Sequence, residues 1–476
     1  MPTRIPLPGI HHAAPHQRRP SRSPLRWLVL WAALGTAASA QAKTPGQTRT
    51  GAPPSLPVDP LLAPPPTAPH VLGSWQEALS QLRTHSPDLL IAGDSVERAR
   101  GQARIALSAV LPSLSASGSY TYQFLSLVPA GGTTTGNVLP RGALSGSVTL
   151  SQPVLVPRAF YGLGTAARGV QAAQASLADR RRTVVMAVAD AMLATLAAER
   201  VAFINRSGLQ AALERWSLTQ LRHQLGTGTL LDTERAAQDV VSARTLVISG
   251  DEALRRSWEA LGMALGVSTA TAAPGDLDLS AFEQAVAEVC HSSPGVEQRP
   301  EVAAARLRLT VAQRQVTDVW LQHAPTVSVQ SQLSGADRPL FFGYPNTLWN
   351  VQAVLSLPLW DGGARYGARQ DARAQARQAE QALVQTRIAA LVDIARRDRA
   401  VSVTASSRDF AQSQRDLAHS IDRRTRDAYS KGIGTSLDLV TSGAALRQAE
   451  LNLAVMQLQA AQARVDAVLA QAECVL

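Results

Sequence analysis

The stretch Ser113-Leu-Ser-Ala-Ser-Gly-Ser-Tyr-Thr-Tyr-Gln-Phe124 alternates almost without error. Leu114, Ala116, Gly118, Tyr120, Tyr122 and Phe124 share one parity, and Ser113, Ser115, Ser117, Ser119, Thr121 and Gln123 share the other. A period of two sends successive side chains to opposite faces, so the stretch reads as a strand with one dry and one wet face. The pattern recurs in Leu144, Gly146, Val148 and Leu150 against Ser145, Ser147, Thr149 and Ser151. It recurs again in Val327 and Val329 against Thr326, Ser328 and Gln330, and in Trp349, Val351, Ala353, Leu355 and Leu357 against Asn350, Gln352 and Ser356. Runs of about ten residues suit a tilted transmembrane strand. Leu127–Gly142 and Ala336–Asn346, rich in Gly and Pro, read as exposed loops between paired strands. Alternation alone would favour a soluble sandwich hairpin, because barrel signals are weak per segment. The polar faces, however, are uncharged Ser, Thr, Gln and Asn, as in a water-filled lumen, and the whole chain reads as holding four such strands.

Outside the strands the pattern is helical. No proline falls between Arg158 and Ala273, or after Pro358. As one helix, Arg158 to Leu225 would run about 100 Å at 1.5 Å per residue. Val170, Leu177, Val184, Ala191 and Ala198 recur by sevens, and Leu437, Val440, Ala444, Leu451, Ala454, Leu458, Ala461, Val465 and Val468 read as a coiled-coil seam broken by Arg447.

These parts occur twice. Ser86-Pro-Asp88 answers Arg299-Pro-Glu301; Leu111-Pro112-Ser113 answers Ala324-Pro325-Thr326; Ser151-Gln-Pro153 answers Ser356-Leu-Pro358. Gly226-Thr-Gly-Thr-Leu-Leu-Asp232 answers Gly432-Ile-Gly-Thr-Ser-Leu-Asp438. The expected organisation is a first repeat over 74–267 with a strand pair in 113–155, a linker over 268–281, and a second repeat over 282–473 with a strand pair in 326–359.

Residues 1–26 carry five arginines and no acid; Trp27–Leu34 is apolar, and Ala38-x-Ala40 follows. This predicts a signal peptide over 1–40, cleaved after Ala40 or, as a second choice, Ala42. Residues 41–73, with nine prolines between Pro45 and Pro69, read as a linker with little to pack. The formal charge is +10, but five of those charges lie in 1–40. The +5 that remains is Arg scattered among Asp and Glu, a solvated helix face rather than a phosphate-binding stripe, so nucleic acid is not an expected partner. Cys290 and Cys474 either pair in an oxidising compartment or stay free. No catalytic constellation, cofactor motif or metal-ligand spacing is present: His223, His291, His323 and His419 are scattered, and the two Gly-rich turns lack a P-loop lysine.

Four strands in a membrane do not close, and an open edge in hydrocarbon leaves unpaired backbone groups at several kcal/mol each. Two chains would make eight strands, a barrel filled by its own side chains; three would make twelve and leave a passage. The duplication, the long helices, Leu-Pro358-Leu-Trp-Asp-Gly-Gly363 at a strand-to-helix step and Tyr429-Ser-Lys-Gly-x-Gly-Thr435 at a helical turn together resemble the TolC family, from residue 74 to about 472. The resemblance implies a mainly α fold with membrane β: a tandem-duplicated α-helical coiled-coil barrel and four transmembrane strands per chain, twelve-stranded as a homotrimer. It implies an outer-membrane location reaching into the periplasm, contact with outer-membrane lipid, and docking onto a periplasmic adaptor (membrane fusion) protein and an inner-membrane ABC transporter. Neither cysteine follows the signal peptide, unlike the lipidated cysteine of many drug-efflux members. That points to type I secretion of an exported polypeptide, and within that branch the Arg- and Ala-rich sequence is similar to exporters of an adenylate cyclase toxin-haemolysin. The alternatives are the outer-membrane component of a multidrug efflux pump and a periplasmic coiled-coil scaffold without a pore.

The two turns are the candidate site. Gly226 and Gly432 suit a left-handed helix end, while Thr229-x-x-Asp232 and Thr435-x-x-Asp438 suit capping boxes that start the next helix. Gly228 and Gly434 complete the turns. The resemblance implies in addition a periplasmic gate, with Tyr429 bonding toward Asp232 and Asp438 forming a carboxylate ring in the trimer. The family's pattern has an arginine where this chain has Gly434, and a second acidic ring where it has Thr441, which implies a more loosely held entrance.

Overall fold

The computed structural model describes residues 59–122, 124, 142–275, 278–292, 295–337 and 345–474. The expected signal peptide, the first part of the Pro-rich segment and most of the two loops lie outside these residues. In chain order the elements are β1 (His70–Val71), α1 (Trp75–His85), α2 (Pro87–Ser108), β2 (Ser113–Tyr122), β3 (Gly142–Leu155), α3 (Pro157–Gln224) and α4 (Leu230–Leu265). There follow β4 (Thr271–Ala272), α5 (Leu279–Val289), β5 (Cys290–Ser292), α6 (Pro300–Leu321), β6 (Thr326–Ala336), β7 (Thr347–Ser356), α7 (Ala364–Ser430), α8 (Ser436–Ala470) and β8 (Ala472–Cys474).

The four long strands form one antiparallel sheet in the order β2-β3-β6-β7. Its register keeps parity across the pairings up to Pro153. Ala116 faces Val148, Val148 faces Leu333 and Leu333 faces Trp349 on one side; Ser117 faces Ser147 and Gln330 faces Gln352 on the other. Serine hydroxyls bond across the wet face, Ser117 to Ser147 at 3.0 Å and Ser119 to Ser145 at 2.9 Å. Ser331 is a polar residue on the apolar face, and Trp349 Nε1 donates to its hydroxyl at 2.9 Å. The ladder of β3 slips between Pro153 and Leu155, since proline brings no N–H to it. There the chain leaves the sheet for α3, with Pro157 in its first turn. The second copy makes the same step through Gly362 and Gly363, at φ +68° and +90°.

α3 and α7 run unbroken for 68 and 67 residues, as the absence of proline predicts. α4 packs along α3, α8 along α7, and α3 joins the two pairs by packing on α8. The expected seam of α8 holds in part: Ala454, Ala461 and Val465 are buried, Leu437 and Val468 are 48% and 37% exposed, and Leu439, Ser442, Ala449, Leu453, Ala460 and Ala463 are buried besides. α8 has helices on two sides, so apolar residues surround it and a stripe does not single out one face.

The main core lies midway along the helices. Trp75, Leu82, Val185, Val188, Met192, Leu261, Phe282, Val286 and Leu469 are buried together, with Trp75 edge-on to Phe282 at 5.2 Å between ring centres. Cys290 and Cys474 face each other across β5 and β8 and form a disulfide, which closes the question of their pairing. The described part of the Pro-rich segment is packed, contrary to expectation. Asp59 caps a 3-10 turn, Pro60–Leu62, and pairs with Arg244 at 2.8 Å. Leu61 and Leu62 cover the Leu209–Val247 cluster, and β1 pairs with the buried β4 inside the expected 268–281 linker. Two leucines and an acid give the strap enough to bury, and its prolines lower the entropy lost in ordering it.

One ion-pair chain crosses the helices. Arg182 reaches Glu301, Glu301 meets Arg299, Arg299 meets Asp393, and Arg397 lies 2.9 Å from both Asp393 and Asp466. Asp190 accepts from Gln462 beside it. The second oxygen of Asp466 is buried without a hydrogen-bond partner among the described residues. Burial, and then the neighbouring Asp190, raises the Asp466 carboxyl to about 6 despite Arg397.

Candidate functional site

The turns between α3 and α4 and between α7 and α8 are built alike. Gly226 and Gly432 stand at φ +74° and +79°, where a side chain would be strained. The next residues fold back, with Thr227 N–H donating to the Arg222 carbonyl at 2.9 Å and Ile433 N–H to the Ala428 carbonyl at 3.0 Å. Gly228 and Gly434 serve a different need: a methyl there would lie 3.1 Å from Arg222 Cβ and 3.1 Å from Tyr429 N respectively. Thr229 and Asp232, and again Thr435 and Asp438, then form complete capping boxes. Each cap satisfies orphan helix N–H groups and contributes roughly 1 kcal/mol.

The two acids differ in their partners. Asp232 also accepts from the Ser436 hydroxyl of the other hairpin. That bond, with those from Thr229, holds its carboxyl below the usual range. Asp438 is exposed; its oxygen accepts from the Thr435 hydroxyl at 2.7 Å and the Thr435 amide at 3.3 Å, which lower its pKa. Thr441 donates to its own helix, to the Leu437 carbonyl at 2.8 Å.

Tyr429 is buried, but Asp232 is bonded to Ser436 in its place. The Tyr429 ring carries the Arg222 guanidinium 4.2 Å from its centre, and Arg222 reaches the Ser430 carbonyl at 3.4 Å. A cation over a tyrosine face is attracted by the ring quadrupole. Both turns are therefore linked, by Arg222–Tyr429 and Ser436–Asp232. Arg222 and Ser436 were not singled out by the sequence patterns. Ser436 had a signal: the other copy has Leu230 at the matching place, exposed here, and a polar exchange at one copy of a repeated turn marks a contact the other lacks.

At the far end of the helices, both faces of the sheet and the outer edges of β2 and β7 are open among the described residues. Phe160, Trp320, Trp360 and Tyr366 are exposed around the strand-to-helix steps, with Arg369 4.1 Å over Trp320. Tryptophan and tyrosine with basic neighbours are the residues that settle at a membrane–water interface.

The profile of the family described as outer membrane efflux protein matches residues 78–267 and 296–472. A pyoverdine export outer membrane protein of Pseudomonas putida, OpmQ, is 24% identical over 396 residues, which span 80% of this chain and 82% of the relative. Among solved structures, the outer membrane protein VceC of Vibrio cholerae matches with a TM-score of 0.72 at 19% identity, over 83% of this chain and 95% of its own. The CmeC outer membrane channel of Campylobacter jejuni matches with a TM-score of 0.72 at 17% identity, over 83% and 84%. At these identities the structural likeness carries the fold.

Proposed function

The chain belongs to the outer membrane efflux protein family, and we propose that three copies form the passive outer-membrane conduit of an export assembly whose energy comes from an inner-membrane transporter joined through a periplasmic adaptor. The observation that carries this reading is the open four-stranded sheet, with one mostly apolar face, one mostly polar and uncharged face and two edges unpaired among the described residues. Its backbone is satisfied in hydrocarbon only by closure with further copies, and twelve strands leave a wet passage. The expected signal peptide over 1–40 and the repeats over 74–267 and 282–473 belong to this proposal, with mature protein starting at Gln41. Fractionation, N-terminal sequencing and native mass test it: an outer-membrane trimer is expected, and a soluble monomer sinks it.

For the cargo, the relative named for pyoverdine export supports export of pyoverdine or a compound of that class. Type I secretion of a polypeptide, down to a toxin-haemolysin, is the reading to be tested against it. A deletion strain separates the two: the spent medium loses either a small molecule or a secreted protein.

The paired turns form the periplasmic entrance in this reading, and Asp438 contributes one carboxylate of a ring of three. Three negative charges at a constriction favour cations and bind multivalent ones. In planar bilayers Asp438→Ala is expected to weaken cation preference and block by a trivalent cation. Capping alone predicts a stability loss of about 1 kcal/mol with selectivity unchanged. A destabilised variant with wild-type selectivity leaves Asp438 as a cap only.

A further inference from the structure

The register sets the wet face of the sheet in rows. Close to the helices, Ser113, Ser151, Gln330 and Gln352 stand side by side across the four strands. Two residues further along, Ser115, Thr149, Gln332 and Asn350 do the same. The rows lie about 7 Å apart at the rise of an extended chain. In both, the first copy supplies hydroxyls and the second supplies amides. In the row beyond, Ser117, Ser147 and Ser334 bring hydroxyls only, and Leu348 ends it.

The polar side is the concave one. Where β3 meets β6, Thr149 and Gln332 are half-buried, while Val148, Leu150 and Leu333 on the other face are 42%, 45% and 52% exposed. Side chains on the inside of a curve crowd one another, and those on the outside splay. Closed with further copies, the sheet turns its amides inward, one pair from each copy in each row.

Hydrocarbon explains half of the composition of these strands. It disfavours charge on the lipid face, but a wet bore places no such demand. The chain is 17% charged, yet β2, β3, β6 and β7 contain no Asp, Glu, Lys or Arg on either face. What stands on the wet face of the second copy is a group that both donates and accepts, since an amide has two N–H and one carbonyl. Gln352 Nε2 donates to Gln330 Oε1 at 3.1 Å. That bond orients the pair and leaves the Gln330 N–H groups and the Gln352 carbonyl to bond elsewhere. A donor beside an acceptor matches a peptide bond, which offers one of each.

We propose that Gln330, Gln332, Asn350 and Gln352 form an amide girdle at the helix end of the barrel, which binds uncharged, amide-bearing stretches of passing cargo. Each contact exchanges a neutral hydrogen bond to water for one to the wall, weak enough to release the cargo again. The inference rests on the reading of the sheet as the wall of a conduit.

The test is single-channel recording on the full-length assembly in planar bilayers, with a melting curve and native mass for each variant. The probe is an acetylated and amidated heptapeptide of glycine and serine. It is added from the outer side, so that it reaches the strands without passing the turns. Polyethylene glycol of the same size, whose chain has acceptors and no N–H, is the control. On the wild type, peptide blocks are expected to outlast glycol blocks at least about fivefold, the fold-change of roughly one neutral hydrogen bond. Gln330→Leu with Gln352→Leu, and Gln332→Leu with Asn350→Leu, are each expected to shorten the peptide block and leave the glycol block as it was. A role in folding alone lowers the melting curve and moves neither dwell time. Assembled variants with wild-type peptide dwell times overturn the girdle. Equal dwell times for peptide and glycol on the wild type overturn it too, whether or not the variants assemble. Gln352→Cys labelled with a charged thiol reagent tests the wall beneath the proposal: a changed conductance supports it, and an unchanged one, or an assembly that conducts nothing, overturns the conduit reading instead.

Discussion

Asp466 lies in the helix bundle with Arg397 on one oxygen, no hydrogen-bond partner among the described residues on the other, and Asp190 nearby. Its carboxyl is raised to about 6 in the folded chain, against roughly 4 for an unperturbed aspartate. Between those values the native state binds more protons than the unfolded one, so stability falls as pH rises through the window. The contribution is complete below about pH 4 and lost above about pH 6. Asp466→Asn cannot lose a proton there. It is expected to melt higher than wild type above pH 6, with the gap closing toward pH 4; a gap that does not vary with pH would show that the charge at 466 costs nothing. Gly432 makes a second prediction at this scale. At φ +79° with open space around it, the conformation is the whole cost of a methyl group, about 1–2 kcal/mol for Gly432→Ala. Chemical denaturation should show a loss of that size. Gly434 is limited by crowding against Tyr429 instead, so the arginine of the family pattern would require this turn to shift.

The strands and helices respond to different information. In a strand, parity alone assigns the face, and the structure keeps Ala116, Val148, Leu333 and Trp349 in one row and Ser117 and Ser147 in another. Replacing Tyr120 or Val148 with Arg places a charge on the face read as lipid-exposed, at ~2–4 kcal/mol near the midplane. Ser117→Arg or Ser147→Arg costs only the hydroxyl pair between them. Assembled protein on native gels should fall for the first two variants and persist for the second two, and the reverse order would invert the faces. The helices were less legible. Their length follows from the absence of proline, but the buried face of α8 is wider than the heptad seam, taking in Leu439, Leu453 and Ala460 besides Ala454, Ala461 and Val465, because a helix packed on two sides carries apolar residues all round.

For the molecule as a whole, the Cys290–Cys474 bridge joins positions 184 residues apart and ties the start of the second copy to the end of α8. Restricting a loop of that size in the unfolded chain is worth at most about 5 kcal/mol in the chain-entropy account. Paired Cys290→Ser and Cys474→Ser replacement, or reductant, is expected to lower the melting temperature while leaving the sheet register and assembly intact. If the double replacement leaves the melting curve unchanged, the bridge adds nothing to the stability of the folded protein.

What the sequence determined by itself is local. Strand faces depend on i and i+2, helix length on missing prolines, and the two turns on glycines and capping boxes within seven residues of each other. Each of those choices is decided by near neighbours in the chain, so a pattern is enough. The partners across the fold are another matter. That Asp232 meets Ser436 rather than Tyr429, that Arg447 meets Asp239, that Arg244 anchors Asp59 and that the cysteines pair all join residues 184 to 208 positions apart in sequence. Side chains that distant are brought together by how the helices cross and curve around one another. That crossing is settled by packing along the whole bundle at once, and only the tertiary structure holds it.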